Sequence, residues 1–111
     1  MSATGIKHDT GKPPIDLVDG ETILAIADVL AFGAQKYDRH NWRAGIAWSR
    51  LYSATMRHLL AFWSGEELDP ESGLPHLAHA LCGLMFLHWH AEHRRDLDDR
   101  WSARRDEAGD I

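Results

Sequence analysis

The chain is poor in the features that define several large protein classes. Its one cysteine, Cys82, excludes an intrachain disulfide framework and a cysteine-based zinc cluster, and makes a reducing cytoplasm the default location. No apolar run approaches the ~20 residues of a membrane span. The stretch Met1 to Asp9 lacks the apolar core of a signal peptide. Bases are the minority, 12 Lys and Arg against 17 Asp and Glu for a net charge of −5, so the chain is not built to coat nucleic acid through bulk charge. Neither a membrane nor a nucleic acid is expected as partner. The two-residue alternation of a half-buried strand is also missing.

What is present fits a small globular unit. The 111 residues are 44% hydrophobic and 26% charged, enough for a single domain with one modest core. Eight His and five Trp are high for this length. Gly5, Gly11, Pro13 and Pro14 oppose helix formation over 1–19, which reads as an extended arm. Asp19 or Gly20 then caps a helix over about 20–36, where Ile23, Ile26, Ala27, Leu30, Ala31 and Ala34 recur at three-and-four spacing. Tyr37 to Trp48 reads as a loop. Ser49 is the expected cap of a second helix, about 49–64, with Leu51, Ala54, Thr55, His58, Leu59 and Phe62 on one stripe. A second loop, Ser64 to Pro75, precedes a third helix over about 75–93. The residues from 94 to 111 form a charged tail, which either extends the third helix through pairs such as Asp96–Arg100 or frays. The expected fold is therefore all-α: a three-helix core over 20–93 between arm and tail.

The third helix has no polar side, since Ala78, Ala80, Leu81, Cys82, Leu84, Met85, Phe86 and Leu87 surround it. A helix buried all round needs more neighbours than two. That predicts a homodimer or homotetramer whose helices complete a bundle.

The loop between the last two helices concentrates the chemistry. Glu66, Glu67, Asp69 and Glu71 lie within six residues, and carboxylates so crowded repel unless water or a cation screens them. His76 and His79 follow at i,i+3, so both rings leave one helix face. If the second and third helices form an antiparallel hairpin, His58 faces the same region. Mixed carboxylate and imidazole donors suit Mn²⁺, Zn²⁺, Fe²⁺ or Co²⁺ better than Mg²⁺ alone. The alternative is a solvated loop beside core or capping histidines. His88, His90 and His93 spread around the helix end and read as residues favoured by its dipole. A zinc-protease motif is excluded, because its two His stand at i,i+4 with a Glu beside the first.

A second constellation is cationic and aromatic. Lys7, Lys12, Lys36, Arg39, Arg50 and Arg57 flank loops carrying Tyr37, Asn41, Trp42 and Trp48. Phosphate takes Lys or Arg, while a base takes an aromatic face and an amide, which Trp42 and Asn41 supply together. The competing reading makes Trp42 and Trp48 core plugs. Gly11-Lys12 is no phosphate loop, since neither the upstream Gly nor the following Ser or Thr is present.

In order along the chain stand Lys7-x-Asp9-x-Gly11-Lys12-Pro13, Gly33-Ala34-x-Lys36-Tyr37, Asn41-Trp42-x-x-Gly45, Arg57-His58-x-x-Ala61, Gly65-Glu66-x-x-Asp69-x-Glu71-x-Gly73 and His76-x-x-His79-Ala80. This succession, over about 7–87, resembles the phage-borne dATP/dGTP diphosphohydrolase domain, grouped with the MazG-like all-α pyrophosphohydrolases. The resemblance implies a helical oligomer that hydrolyses a purine deoxynucleoside triphosphate to monophosphate and pyrophosphate with a divalent metal, Mg²⁺ or Mn²⁺. The His pair also suits Co²⁺ or Zn²⁺. On that basis Glu66, Asp69, Glu71, His76 and His79 are the expected metal ligands, and Glu67 or His58 takes the proton of the attacking water. Lys7, Lys12, Lys36 and Arg57 meet the phosphates, with Tyr37, Asn41 and Trp42 toward the base. The chain departs from MazG enzymes, whose two acid-bearing helices carry Glu-Glu-x-x-Glu and Glu-x-x-Asp: here Arg57-His58-x-x-Ala61, His76 and His79 stand instead. Two alternatives remain at this point. One is a non-catalytic nucleotide-binding or host-interaction helical oligomer. The other is an HD-type phosphohydrolase, whose His-Asp pair occurs only as His8-Asp9 in the arm.

Overall fold

Asp19 starts the first helix. Its backbone is extended, and its carboxylate accepts hydrogen bonds from the Thr22 amide (2.9 Å) and hydroxyl (2.7 Å), which pairs a donor that a helix start leaves open. In the computed structural model, which describes residues 5–102, α1 runs over Gly20–Lys36, α2 over Trp48–Trp63 and α3 over His76–His93. Among the described residues there is no strand, only an isolated antiparallel bridge between Leu68 and Pro75. The expected helices lie within a residue of the observed ones. Residues 5–19 are exposed and contain one 3-10 turn, Ile15–Leu17.

α3 is the central element, packed along α2 and against α1. On the α1 side, Val29, Ala78 and Cys82 form a small core with Ala25, Ile26, Leu30, Leu74 and Phe86 around it. On the α2 side the helices meet at Gly83. A Cβ there would fall 2.0 Å from the Thr55 hydroxyl oxygen, so only glycine permits this approach. Thr55 is itself buried and donates to the Leu51 carbonyl at 2.8 Å. Leu51 and Trp48 fill the rest of the α2 face.

The second helix is not capped as expected. Ser49 lies inside α2, and the cap arrives from a distant segment. Asp99 accepts from the Ser49 amide (2.9 Å) and hydroxyl. The tail neither continues α3 nor frays over 94–102. The Arg94 backbone turns out of helical geometry, a 3-10 turn follows at Arg95–Leu97, and the chain folds back on the start of α2. Arg94 pairs with Asp96 and reaches the Ala44 carbonyl (3.1 Å), while its own carbonyl accepts from the Trp48 indole (3.1 Å). Arg100 pairs with Asp98 rather than Asp96. Arg104 and the end of the tail lie outside the described residues. Gly45, at φ +112°, leaves room for the Arg94 guanidinium that any side chain there would strike.

Tyr52, Leu60 and Trp63 on α2, and Leu77, Leu81 and Leu84 on α3, are exposed. The lack of a polar side read for α3 therefore appears as an uncovered apolar surface in the single chain.

Gly83→Ala is expected to destabilise the fold by about 1–3 kcal/mol, because overpacking against Thr55 exceeds the ~1 kcal/mol that alanine gains in a helix. Urea denaturation measures this, and an unchanged or raised midpoint would contradict the close contact.

Candidate metal and phosphate site

The loop between α2 and α3 is tied together from within. The Asp69 amide donates to the Leu74 carbonyl (2.8 Å), the Gly73 amide to Asp69 (2.7 Å) and the His76 amide to Glu67 (2.9 Å). This folds residues 66–75 over the start of α3 and brings the carboxylates to the imidazoles. Because α2 and α3 run antiparallel, His58 arrives from the opposite side, and its ring stacks on His79 with centroids 4.5 Å apart and planes 9° apart.

A directional hydrogen-bond chain runs through the cluster. The Glu66 carboxylate lies 2.6 Å from Nε2 of His76, and an ionised carboxylate only accepts. His76 therefore carries its proton on Nε2. With both rings neutral, its Nδ1 accepts from Nδ1 of His58, 2.9 Å away, and His58 keeps a lone pair on Nε2. His76 is buried, 4% exposed. Burial first, then the like-charged neighbours His79 and His76, hold the His58 pKa below its ordinary value. Burial likewise lowers His79, with Asp69 opposing. At Asp69 burial alone would raise the carboxyl, but hydrogen bonds from the Ser72 side chain and amide, with the nearby histidines, lower it overall.

His58, Asp69 and His76 each offer a ligand atom, all within 4.8 Å of one another. The donor set fits a divalent cation. Two nitrogens bound at about 2.1 Å to one ion stand roughly 3.0–3.4 Å apart, close to the 2.9 Å between the two Nδ1 atoms. Glu66 stands behind His76, where an outer carboxylate would orient a ligating imidazole.

The other expected residues divide. A cleft of about 430 Å³ is lined by Lys36, Tyr37, Asn41, Trp42, His58, Asp69, Glu71 and His79, among others. His79 hydrogen-bonds Ser72 (2.7 Å) and lies 3.7 Å from Asp69. Glu71 turns to Lys36, 2.5 Å away, and this contact raises the lysine pKa. Glu67 is exposed and holds His76 through its backbone carbonyl. Lys7 and Lys12 are exposed in the N-terminal segment, and Arg57 lines a separate groove with Arg50; none of the three lines the cleft. His8 and Asp9 are exposed in the same segment. Trp42 lines the cleft and also packs, stacked on Phe86 at 4.8 Å. Trp48 is a core residue.

His90 is not a surface residue at a helix end. It is fully buried, with Nδ1 donating to the Phe86 carbonyl (2.8 Å) and Nε2 accepting the Ile46 amide (3.1 Å), and it ties the Asn41–Trp42 loop to α3. His88 pairs with Glu92 (3.0 Å) and His93 packs on Trp89. Sequence reasoning missed Ser72, although Asp69-x-x-Ser72 has the spacing of a side chain that caps an amide three residues on. It also missed Phe32, which meets His79 edge-on.

The fold is an all-helical hairpin that gathers imidazoles, carboxylates and one lysine beside an aromatic cleft, and the comparisons give its family. The family described as dATP/dGTP diphosphohydrolase, N-terminal, matches residues 2–100, and the chain belongs to that family. It is 48% identical over 101 residues, 90% of its length, to the dATP/dGTP diphosphohydrolase of Salmonella phage PMBT28. The chain spans 34% of that relative. No solved structure matches it significantly. No helix among the described residues is long and apolar enough to cross a membrane.

Acid should weaken the fold through this cluster. His58 and His79 bind protons less readily folded than unfolded, so their contribution is complete above the unfolded value of 6.5 and is lost as pH falls below it. The urea midpoint should drop between about pH 7.5 and about pH 5.5, and the drop should shrink in the His58→Gln/His79→Gln double variant. An equal drop in that variant would contradict the cluster's role.

Proposed function

We propose that this chain carries the catalytic site of a divalent-metal-dependent hydrolase that cleaves a purine deoxynucleoside triphosphate to the monophosphate and pyrophosphate. One observation carries the reading: His58 and Asp69, Lys36, and Asn41 with Trp42 all line a single cleft. The cleft thus combines donors for a cation, a lysine for phosphate, and an amide with an aromatic ring for a base. The 48% identity to a named diphosphohydrolase supports the substrate class.

His58, Asp69 and His76 would hold the cation, with Glu66 orienting His76. Two imidazoles and one carboxylate favour Mn²⁺, Co²⁺ or Zn²⁺ over Mg²⁺. Once bound, the cation supplies charge neutralisation and an acidified water. The chain's own side chains do the rest. Lys36 exchanges Glu71 for a phosphate oxygen. The imidazole of His79 accepts a hydrogen bond from the attacking water. Asn41 reads a base edge while Trp42 and Tyr37 flank the ring. With His58 on the cation, Glu67 acts through its backbone rather than as the base.

Purified protein given dGTP or dATP with Mn²⁺ should release pyrophosphate, and Asp69→Asn or His76→Gln should lower kcat/KM by about 100-fold or more. No turnover with any divalent cation would overturn the enzyme reading in favour of nucleotide sequestration. Release of inorganic triphosphate instead would favour HD-type chemistry.

The working unit in this proposal is a homo-oligomer. The exposed apolar line of Tyr52, Leu60 and Trp63 with Leu77, Leu81 and Leu84 runs along both helices of the hairpin, where a second copy completes the bundle. Light scattering should report at least a dimer for the wild type and a smaller species for Leu81→Arg. A monomeric wild type would refute the oligomer.

A further inference from the structure

We propose that Ser72 is a positioning residue of this site, setting which atoms of Asp69 and His79 face a bound cation and its water. The inference rests on the cation site proposed above. A serine hydroxyl has one proton to donate and two lone pairs that accept, and three groups surround this one. Asp69 Oδ2, at 2.9 Å, also accepts the Ser72 amide and is a carboxylate acceptor, so it takes the proton. The Leu74 amide, at 3.1 Å, donates into one lone pair. His79 Nε2, at 2.7 Å, meets the remaining lone pair and must donate. In the neutral ring the single proton is then on Nε2 and Nδ1 is the bare acceptor, with no hydrogen-bond partner among the described residues.

The same residue orients Asp69. The Ser72 amide also donates to Oδ2, at 3.0 Å, so two donors converge on one carboxylate oxygen and Oδ1 is left for a cation. Asp69 Oδ2, 3.7 Å from the same nitrogen, is beyond hydrogen-bond reach, and the ring neighbours of His79 cannot do this work. His58 stacks on its face and Phe32 meets it edge-on; such contacts fix the plane of the ring, not the nitrogen that carries the proton. Removing the hydroxyl leaves the ring in place with both tautomers open to it, and frees the Asp69 carboxylate to turn.

The test uses the full chain with ¹⁵N-labelled histidine, as wild type, Ser72→Ala and Ser72→Thr, each first shown to be folded by its circular dichroism. Without metal, the wild-type His79 ring should show the Nε2–H nitrogen pattern. Ser72→Ala should show a mixture of tautomers, and Ser72→Thr, which keeps the hydroxyl, should restore the wild-type pattern. Calorimetry with Mn²⁺ alone should find affinity about 10- to 100-fold weaker in Ser72→Ala and close to wild type in Ser72→Thr. An unchanged His79 tautomer in Ser72→Ala overturns the proposal whether or not Mn²⁺ binds. A wild-type chain that binds no Mn²⁺ overturns the cation site of the preceding section.

Discussion

The hydrogen bond between the His58 and His76 rings, 2.9 Å long, is the contact on which the site depends. It requires α2 and α3 to lie close enough for two imidazoles to meet edge to edge, and the helices achieve this because Gly83 lets them touch at Thr55. It also requires one ring to present a lone pair and the other a proton, which Glu66 decides by taking the Nε2 proton of His76. Two nitrogens held at this spacing with a carboxylate nearby would exchange a shared proton for a metal ion with little movement. Packing, tautomer and candidate chemistry are in this way coupled through one pair of rings.

A second layer of contacts holds the part of the cleft lined by Asn41 and Trp42. The loop carrying Asn41 and Trp42 has few bonds of its own and is secured from α3 and the tail. His90 takes the Ile46 amide and Arg94 takes the Ala44 carbonyl. Asp99 then caps α2, while Arg95 and Arg100 lie over the Trp48 ring at 5.2 and 4.9 Å. The charged residues after α3 thus act as a brace for the start of α2, and their charge is used locally.

The helices were legible because their signals are local: the apolar spacing of Ile23 to Ala34, and a cap at Asp19 three residues from its target. The gathering of His58, Asp69 and His76 was legible at the level of topology, since an antiparallel hairpin with a folded loop leaves few other places for them. Pairings across the chain were not legible. The cap on Ser49 comes from Asp99 and the partner of His90 from Ile46, separations at which no periodicity carries information. Within the loop, residue type could not say that Glu66 would back a histidine, that Glu71 would face Lys36, or that Ser72 would join Asp69 to His79, because those choices follow from the turns at Asp69–Leu74.

The most direct measurement follows the histidine ring resonances of the full chain while Mn²⁺ is added in small substoichiometric steps. The account predicts that His58, His76 and His79 broaden first and together, while His8 and His88, exposed and away from the cleft, stay sharp until excess metal is present. Broadening that begins at the exposed rings, or that leaves His58 and His76 untouched, would contradict it.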